Sequence, residues 1–505
     1  MASLWRRFMN GITAFREAFV SAGPQDEGAF GDFDARRMRY SIFWAFYENT
    51  AYRDIHRWAK LYRAEYGLYR YIRNIYNPAY RLGEFWKAHL WGGALDPQAG
   101  DGLAMPSALP ILTGNEALRG ALSQVWRWSN WQVNKDLVGL YGAVMGDAAL
   151  RIVDDTGREK VYLKLVHPGT IKDLTLDGFG NVKGYVLEEQ RPDPQKRKRT
   201  VTYQEAATRE GQDVRFRTYL DDKLYAWDGI SADWSVPYGF VPLVFIQHNN
   251  VGLDWGWSEL HPVRSKFHEV DDLASKLSDQ IRKMVDAPWL FAGVPKPEKR
   301  TGPAETGPED LPVIYGPPAA NAIPLVAPLD IGATSAYIQS ILQEIERDYP
   351  ELNTDLRGSQ ANEREVSGRA LRINRQPAET KVLQRRANYD DALVRAQQMA
   401  VAIGGFRGYA GCQGFGLDSY ASGALDHSIG GRDVFAKDPA DDLELEKLFW
   451  EVADASRRSG LPLAVYLRRQ GWSEVEIGEL TSSPEYRARL ANLKAAMTLD
   501  EADNG

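Results

Sequence analysis

The residues of this chain that could do chemistry fall into fragments of familiar patterns, and each fragment stops short. His268-Glu269 opens the H-E-x-x-H arrangement in which two histidines one helical turn apart hold zinc, but Asp272 stands where the second histidine belongs. Gly256-Trp257-Ser258 begins a nucleophile elbow, and Leu260 replaces the glycine its tight turn requires. The acid pairs Asp271-Asp272, Asp390-Asp391 and Asp441-Asp442 are chain neighbours. On a helix such neighbours point about 100° apart, so they cannot face one another as acid and base. Gly404, Gly405, Gly408, Gly411, Gly414 and Gly416 match neither the dinucleotide fingerprint after a strand nor the phosphate loop that ends in Lys-Ser/Thr. The 7 histidines show no metal-ligand spacing, and a lone cysteine, Cys412, excludes an internal disulfide. No catalytic residue, metal or cofactor is expected, and a nucleotide-driven motor is not expected from this chain alone.

The elements that would position these residues are better marked. The organising stretch is 258–286, where Leu260, Val263, Phe267, Val270, Ala274, Leu277, Ile281 and Met284 recur at alternating 3,4 spacing. That is the signature of a helix presenting one seam to a neighbour. Ser258 is the expected cap and Pro288 the stop. A Pro/Gly-rich module at 287–330 follows, then a second helix from about 331 that stops before Pro350, with Ile338, Ile341, Leu342 and Ile345 on one side. Residues 351–365 are polar and without period, and a long helix over 366–403 follows, expected to bend at Pro377. It carries Arg369, Arg372, Arg375, Lys381, Arg385, Arg386 and Arg395.

Upstream, residues 1–34 form an amphipathic arm and a polar linker, and 36–91 is a helical stretch dense in aromatics interleaved with arginines. Base stacking is one reading of that stretch; burial explains the helical spacing with fewer assumptions. A helix is expected over 115–144. The apolar period then changes to two, with strands expected at 149–153, 161–166, 171–176, 182–188, 199–203, 214–219, 223–227 and 243–247 in a mostly antiparallel module. The basic run Lys196–Arg199 falls in a hairpin between two of them. A short strand at 433–436 and two or three amphipathic helices over 443–493 close the chain.

Composition bounds the function. With 505 residues, 44% hydrophobic and 26% charged, the chain suits several soluble globular domains. A net charge of -7 argues against a basic body that wraps nucleic acid, though not against a conduit, in which tight binding would hinder passage. No run of eighteen apolar residues marks a membrane span.

The order of parts carries a resemblance. NIYNPAYR at 74–81 and LWGG at 90–93 precede a helix that enters the sheet through GDAALRIVDDTG at 146–157. LVHPGTI at 165–171, LDGFGNVKGY at 176–185 and YGFVPLVFIQHNN at 238–250 follow, then WSELHPV, the seam helix, the Pro/Gly module, the return helix and VSGRALR at 366–372. Over residues 35–495 this resembles the portal proteins of tailed double-stranded DNA bacteriophages, of the siphovirus type. The resemblance implies an α+β portal fold assembled as a ring, usually of twelve subunits, at one capsid vertex. Residues 35–257 would form the wing, 258–286 and 331–350 the stem, 287–330 the clip, 351–365 the tunnel loop, 366–436 the long wing helix and return strand, and 437–505 the helical crown.

The same resemblance implies the site residues and partners. Arg357, Ser359, Gln360, Asn362, Arg364, Arg369 and Arg372 would approach DNA in the channel, through phosphates and without sequence preference. Leu260, Val263, Phe267, Val270, Leu277, Ile281 and Met284 would form the subunit interface of the stem. Trp289, Lys296, Lys299 and Arg300 would lie in the clip that docks the large terminase subunit and the head-tail adaptor. Major capsid protein and scaffold complete the partners, with the virion as final location, the host cytoplasm as place of assembly, and no membrane contact. A nucleic-acid-processing enzyme subunit and a parallel coiled-coil dimer are the alternative readings.

Overall fold

The computed structural model describes residues 31–52, 72–91, 109–194, 198–227, 231–285, 289–293, 313–319, 330–353, 368–435, 439–459, 461–472, 474–482 and 484. The chain is mixed α+β with several antiparallel sheets and divides into two compact units, one ending at Phe435 and one beginning at Ala436.

In the first unit, side-chain caps set most of the early helix starts. Asp32 accepts from Ala35 N at the start of α1 (Phe33–Tyr47), and Asn77 accepts from Tyr80 N at the start of α2 (Pro78–His89). After the short β1 (Ile111–Leu112), Asn115 accepts from Ala117 N and Leu118 N to begin α3 (Glu116–Trp128). The single helix expected over 115–144 is two helices. Asn130 takes a left-handed φ of 47°, which asparagine tolerates better than most residues, and α4 (Trp131–Met145) starts anew beyond it.

The β-region follows the expected alternation closely. β2 (Asp147–Asp155), β3 (Lys160–Val166) and β10 (Leu243–Gln247) form an antiparallel sheet in the order β10-β2-β3. β4 (Ile171–Leu176), β5 (Val182–Pro192), β6 (Thr200–Glu210), β7 (Asp213–Leu220) and β8 (Lys223–Leu224) form a second, with β9 (Asp233–Val236) also on β7. The strand expected at 223–227 is only two residues long, and β9 was not expected. The basic run does lie in the hairpin between β5 and β6, although Lys196 and Arg197 fall outside the described residues. Period-two burial on β6 puts Glu205 inward, and the carboxylate is satisfied there. Arg151 of β2 donates to both its oxygens at 2.9 Å, with Tyr185 and Tyr203 hydroxyls each at 2.8 Å.

The seam helix, α5 (Arg264–Val285), begins six residues later than expected. Ser258 does not cap it; its hydroxyl donates to Ala143 O and Val144 O, satisfying carbonyls that the end of α4 leaves open. β11 (Trp289–Ala292) pairs in parallel with β12 (Val313–Gly316), and α6 (Ile331–Asp348) returns from an Asp330 cap. The polar loop expected from 351 starts instead as a buried 3-10 turn over Pro350–Asn353, with Glu351 and Leu352 inside. The 40-residue α7 (Gly368–Arg407) includes Pro377 without ending there.

α8 (Leu417–Ala421) and β13 (Ser428–Ile429) follow, β13 pairing with β1; 433–435 carry no strand. The glycine-rich stretch turns back on the end of α7. A Cβ on Gly405 would lie 2.2 Å from Phe415 O, and one on Gly404 2.7 Å from Cys412 Sγ.

Two apolar cores result. In one, α3, α4 and α7 pack on the β10-β2-β3 sheet, with Trp86, Trp91, Trp126 and Trp131 fully enclosed. The other joins Tyr40, Phe43 and Phe46 of α1 to Leu260, Val263, Phe267, Val270 and Ala274, and to Ile338 and Ile345 of α6. Burial therefore accounts for Phe46, Tyr52, Phe85, Trp86 and Trp91, whereas Tyr76 and Tyr80 are exposed. The second unit holds α9 (Pro439–Arg458), α10 (Leu463–Arg469) and α11 (Glu474–Ser482), packed through Ala453, Leu467 and Ile477.

Candidate functional site

The site lies where the turn before α5, the turn after α6 and the middle of α7 converge. Lys381 Nζ on α7 lies 2.8 Å from Glu259 Oε2 and 2.5 Å from Glu351 Oε1, so one ammonium serves two buried carboxylates. His248, at the end of β10 and fully enclosed, sits 3.0 Å from Glu259 Oε1 through Nε2 and 2.8 Å from the Tyr389 hydroxyl through Nδ1. An Nε2–H donating to Glu259, with Nδ1 accepting from Tyr389, satisfies all three groups. Tyr349 donates to Glu259 O at 2.7 Å, its ring 4.8 Å beneath Lys381 Nζ, and Arg385 stands 3.4 Å from Glu259.

The electrostatics differ between the two acids. Burial works to raise the Glu259 carboxyl, but the hydrogen bond from His248 and the charge of Lys381 outweigh it and hold it well below the usual range. Burial dominates at Glu351 and raises it, and its Oε2 has no hydrogen-bond partner among the described residues. Burial works to lower the Lys381 ammonium, but the two carboxylates raise it overall; burial keeps His248 low, hence neutral. The arrangement binds three chain segments together through charge.

This junction also frames the expected channel loop. Asn374 Nδ2 donates to Asn353 O at 2.5 Å, and Arg81 donates to Leu352 O at 2.7 Å. The last described residue before 354–367 is thereby tied to the first turns of the helix that follows it. Of the expected DNA-facing residues, Arg357, Ser359, Gln360, Asn362 and Arg364 lie outside the described residues. Arg369 lies in the first turn of α7, and Arg372 is exposed one turn on. Arg386, further along, is enclosed and donates to Leu90 O, His89 O, Arg432 O and Asp433 O.

Much of the expected subunit seam is covered within the single chain. Leu260, Val263, Phe267 and Val270 are already buried within one chain, at 1%, 1%, 4% and 1% exposure, and Leu277 packs against the same cluster. Their neighbours within the single chain are α1 and α6. Among the seam residues whose side chains are described, Ile281 alone is open, at 39%, and Met284 lies near the end of α5. Trp289 begins β11, while Lys296, Lys299 and Arg300 lie outside the described residues.

The motif fragments have structural partners. The Tyr52 hydroxyl lies 3.3 Å from His268 Nδ1, and Asp272 pairs with Lys276. Asp271 is buried and accepts from Ile75 N and Tyr76 N. Among the described residues, no group of three His, Cys, Asp or Glu side chains could hold a metal, and no helix is long and apolar enough to cross a membrane. Sequence reasoning did not single out Glu259, Glu351, His248 and Tyr389 as a group, because nothing in their spacing brings them together. No protein-family model and no curated protein matches this chain.

Proposed function

We propose that this chain is a passive conduit subunit, one member of a ring through which double-stranded DNA moves. Within that class the order of parts favours a portal protein of a tailed double-stranded DNA bacteriophage, seated at one capsid vertex. It would dock the terminase motor and later the head-tail adaptor, perform no catalysis itself, and reside in the virion after assembly in the host cytoplasm.

The supporting observation is the antiparallel pair α5 and α6. The start of α5 and the end of α6 are sunk in a core, from Leu260 to Ala274 and from Ile338 to Leu352. The opposite end is open, with Ile281 at 39% and Ile331 at 37% exposure, and β11 and β12 lie in the sequence between the two helices. A helix pair rooted in an α+β body, capped by a small β-unit and leading back to a tethered polar segment suits a stem, clip and tunnel loop. Arg369 and Arg372 fall in the first turns of α7, next in sequence to that segment.

The test is the mass of the purified particle. Twelve chains of 56.8 kDa give about 680 kDa, and negative-stain images should show a ring with an axial channel. A monodisperse species near twice the chain mass would instead favour the dimeric reading, although burial of the seam removes the surface such a dimer would use.

A further inference from the structure

Away from the helix junction, a cleft of about 550 Å³ opens between α4 and the β2–β3 hairpin. Leu137 and Tyr141, one helical turn apart on α4, form one wall with Trp128 behind them. The opposite wall is β3, whose period of two places Lys160, Tyr162 and Lys164 on the same face. The two walls differ in chemistry. The helix side is uncharged and partly open, joining Leu137 at 38% exposure and Tyr141 to the polar Ser129 and Asn134, with nearby Val133 at 65%.

The strand side is cationic. Arg158 is partly neutralised by Asp155 at 3.8 Å. Lys160 and Lys164 are both exposed, and no carboxylate among the described residues lies within ion-pair distance of either. The Tyr162 and Tyr141 hydroxyls make no hydrogen bond among the described residues, so the cleft also offers unused donors. The recess therefore presents an aromatic floor flanked by two exposed ammonium groups.

We propose that this cleft docks an acidic peptide segment of another protein, held extended alongside β3. Lys160 and Lys164 are four residues apart on a strand, roughly 13 Å at 3.3 Å per residue. An extended ligand repeats the same spacing, so carboxylates at its first and fifth positions reach the two lysines together. The side chain at its third position then faces Tyr162 and the Leu137–Tyr141 wall, where an aromatic or large aliphatic group fits. The recognised chemistry is acid–x–apolar–x–acid. At about 550 Å³ the recess takes a few side chains of a single narrow chain. The proposal requires no ring and stands or falls apart from the channel reading.

The test uses the full-length protein and a fluorescein-labelled peptide Gly-Asp-Gly-Phe-Gly-Glu-Gly, followed by anisotropy at low and high salt. Binding should weaken at least tenfold from 50 to 500 mM salt and at least tenfold in Lys160→Ser/Lys164→Ser. The same peptide with Asn and Gln replacing its acids should lose binding, and Leu137→Ser should weaken it with the lysines intact. Both lysines are exposed, so the double variant should keep the parent circular dichroism. Absent binding, equal affinity in the lysine variant, or tighter binding of a ten-nucleotide oligo-dT would each overturn the proposal.

Discussion

Replacing Lys381 by methionine keeps the length of the side chain and removes its charge. The Lys381 side chain is only 20% exposed and contacts Glu259 and Glu351 at 2.8 and 2.5 Å. After the change, Glu259 keeps His248 at 3.0 Å and Arg385 at 3.4 Å, whereas Glu351 is left without a cation. Breaking a buried pair by deleting one partner costs about 3–5 kcal/mol, because the survivor stays charged and dry. At an unfolding entropy of about 2.1 cal/mol/K per residue, a unit of this size loses roughly 3–6 °C in melting temperature. The assay is thermal and urea unfolding of Lys381→Met, Glu351→Gln and the double variant. Adding Glu351→Gln should recover about 1–3 kcal/mol, since the stranded charge is then gone. The deficit of Lys381→Met should shrink as pH falls toward 5, because the lone Glu351 carboxyl can take up a proton. A Lys381→Met protein as stable as the parent, or a double variant no better than the single one, would refute this account of the junction.

Three further outcomes are expected. Phe267→Asp should unfold the first unit, because Phe267 is 4% exposed within one chain, whereas Ile281→Asp should keep the parent circular dichroism and lower the particle mass; full rings from Ile281→Asp would place the subunit contact elsewhere. Burial pushes the Asp147 carboxyl up to about 7, so its stabilising share is complete below its unfolded value near 3.9 and is lost as pH rises through about 7. Asp147→Asn should flatten that decline of urea midpoint between pH 5 and 8, and an unchanged slope would contradict it. Deleting residues 357–362 should leave particle mass intact while DNA packaging or retention fails; a folded but unassembled product would make that segment an assembly element.

The strands were legible because alternation is local: β2 to β7 each show their buried face in a few consecutive residues. The same logic located α5 and α6 but could not say what covers them. A 3,4 seam identifies the apolar face of a helix, and Phe267 would show the same spacing whether it met α1 or a neighbouring subunit. The start of α5 was misplaced because Ser258 has the right residue type for a cap, and only the fold shows that its hydroxyl serves α4 instead. The break at Asn130 leaves little trace, since the apolar stripe resumes in near phase beyond it. Least legible was the junction: Glu259, Glu351 and Lys381 stand in polar surroundings far apart in sequence, and only tertiary packing makes them one network.

The corner between α4 and β2 has a consequence for how the chain is made. Gly146 has a φ of 98°, a Cβ there would lie 2.6 Å from Gly256 O, and a Cβ on Gly256 would lie 2.3 Å from Gly146 O. The two backbones cross where neither can carry a side chain, and the adjacent Asp147 carboxylate accepts from Gly256 N across 109 residues. At a synthesis rate of about 5–20 residues per second, Asp147 waits roughly 5–20 s for that partner. Until residue 247 has emerged from the ribosome, the β10-β2-β3 sheet has only its β2–β3 hairpin, with the edge that β10 will pair left open. The nascent chain therefore passes through a window in which an unpaired β2 edge is exposed, and chaperone engagement should be concentrated there rather than on the finished protein.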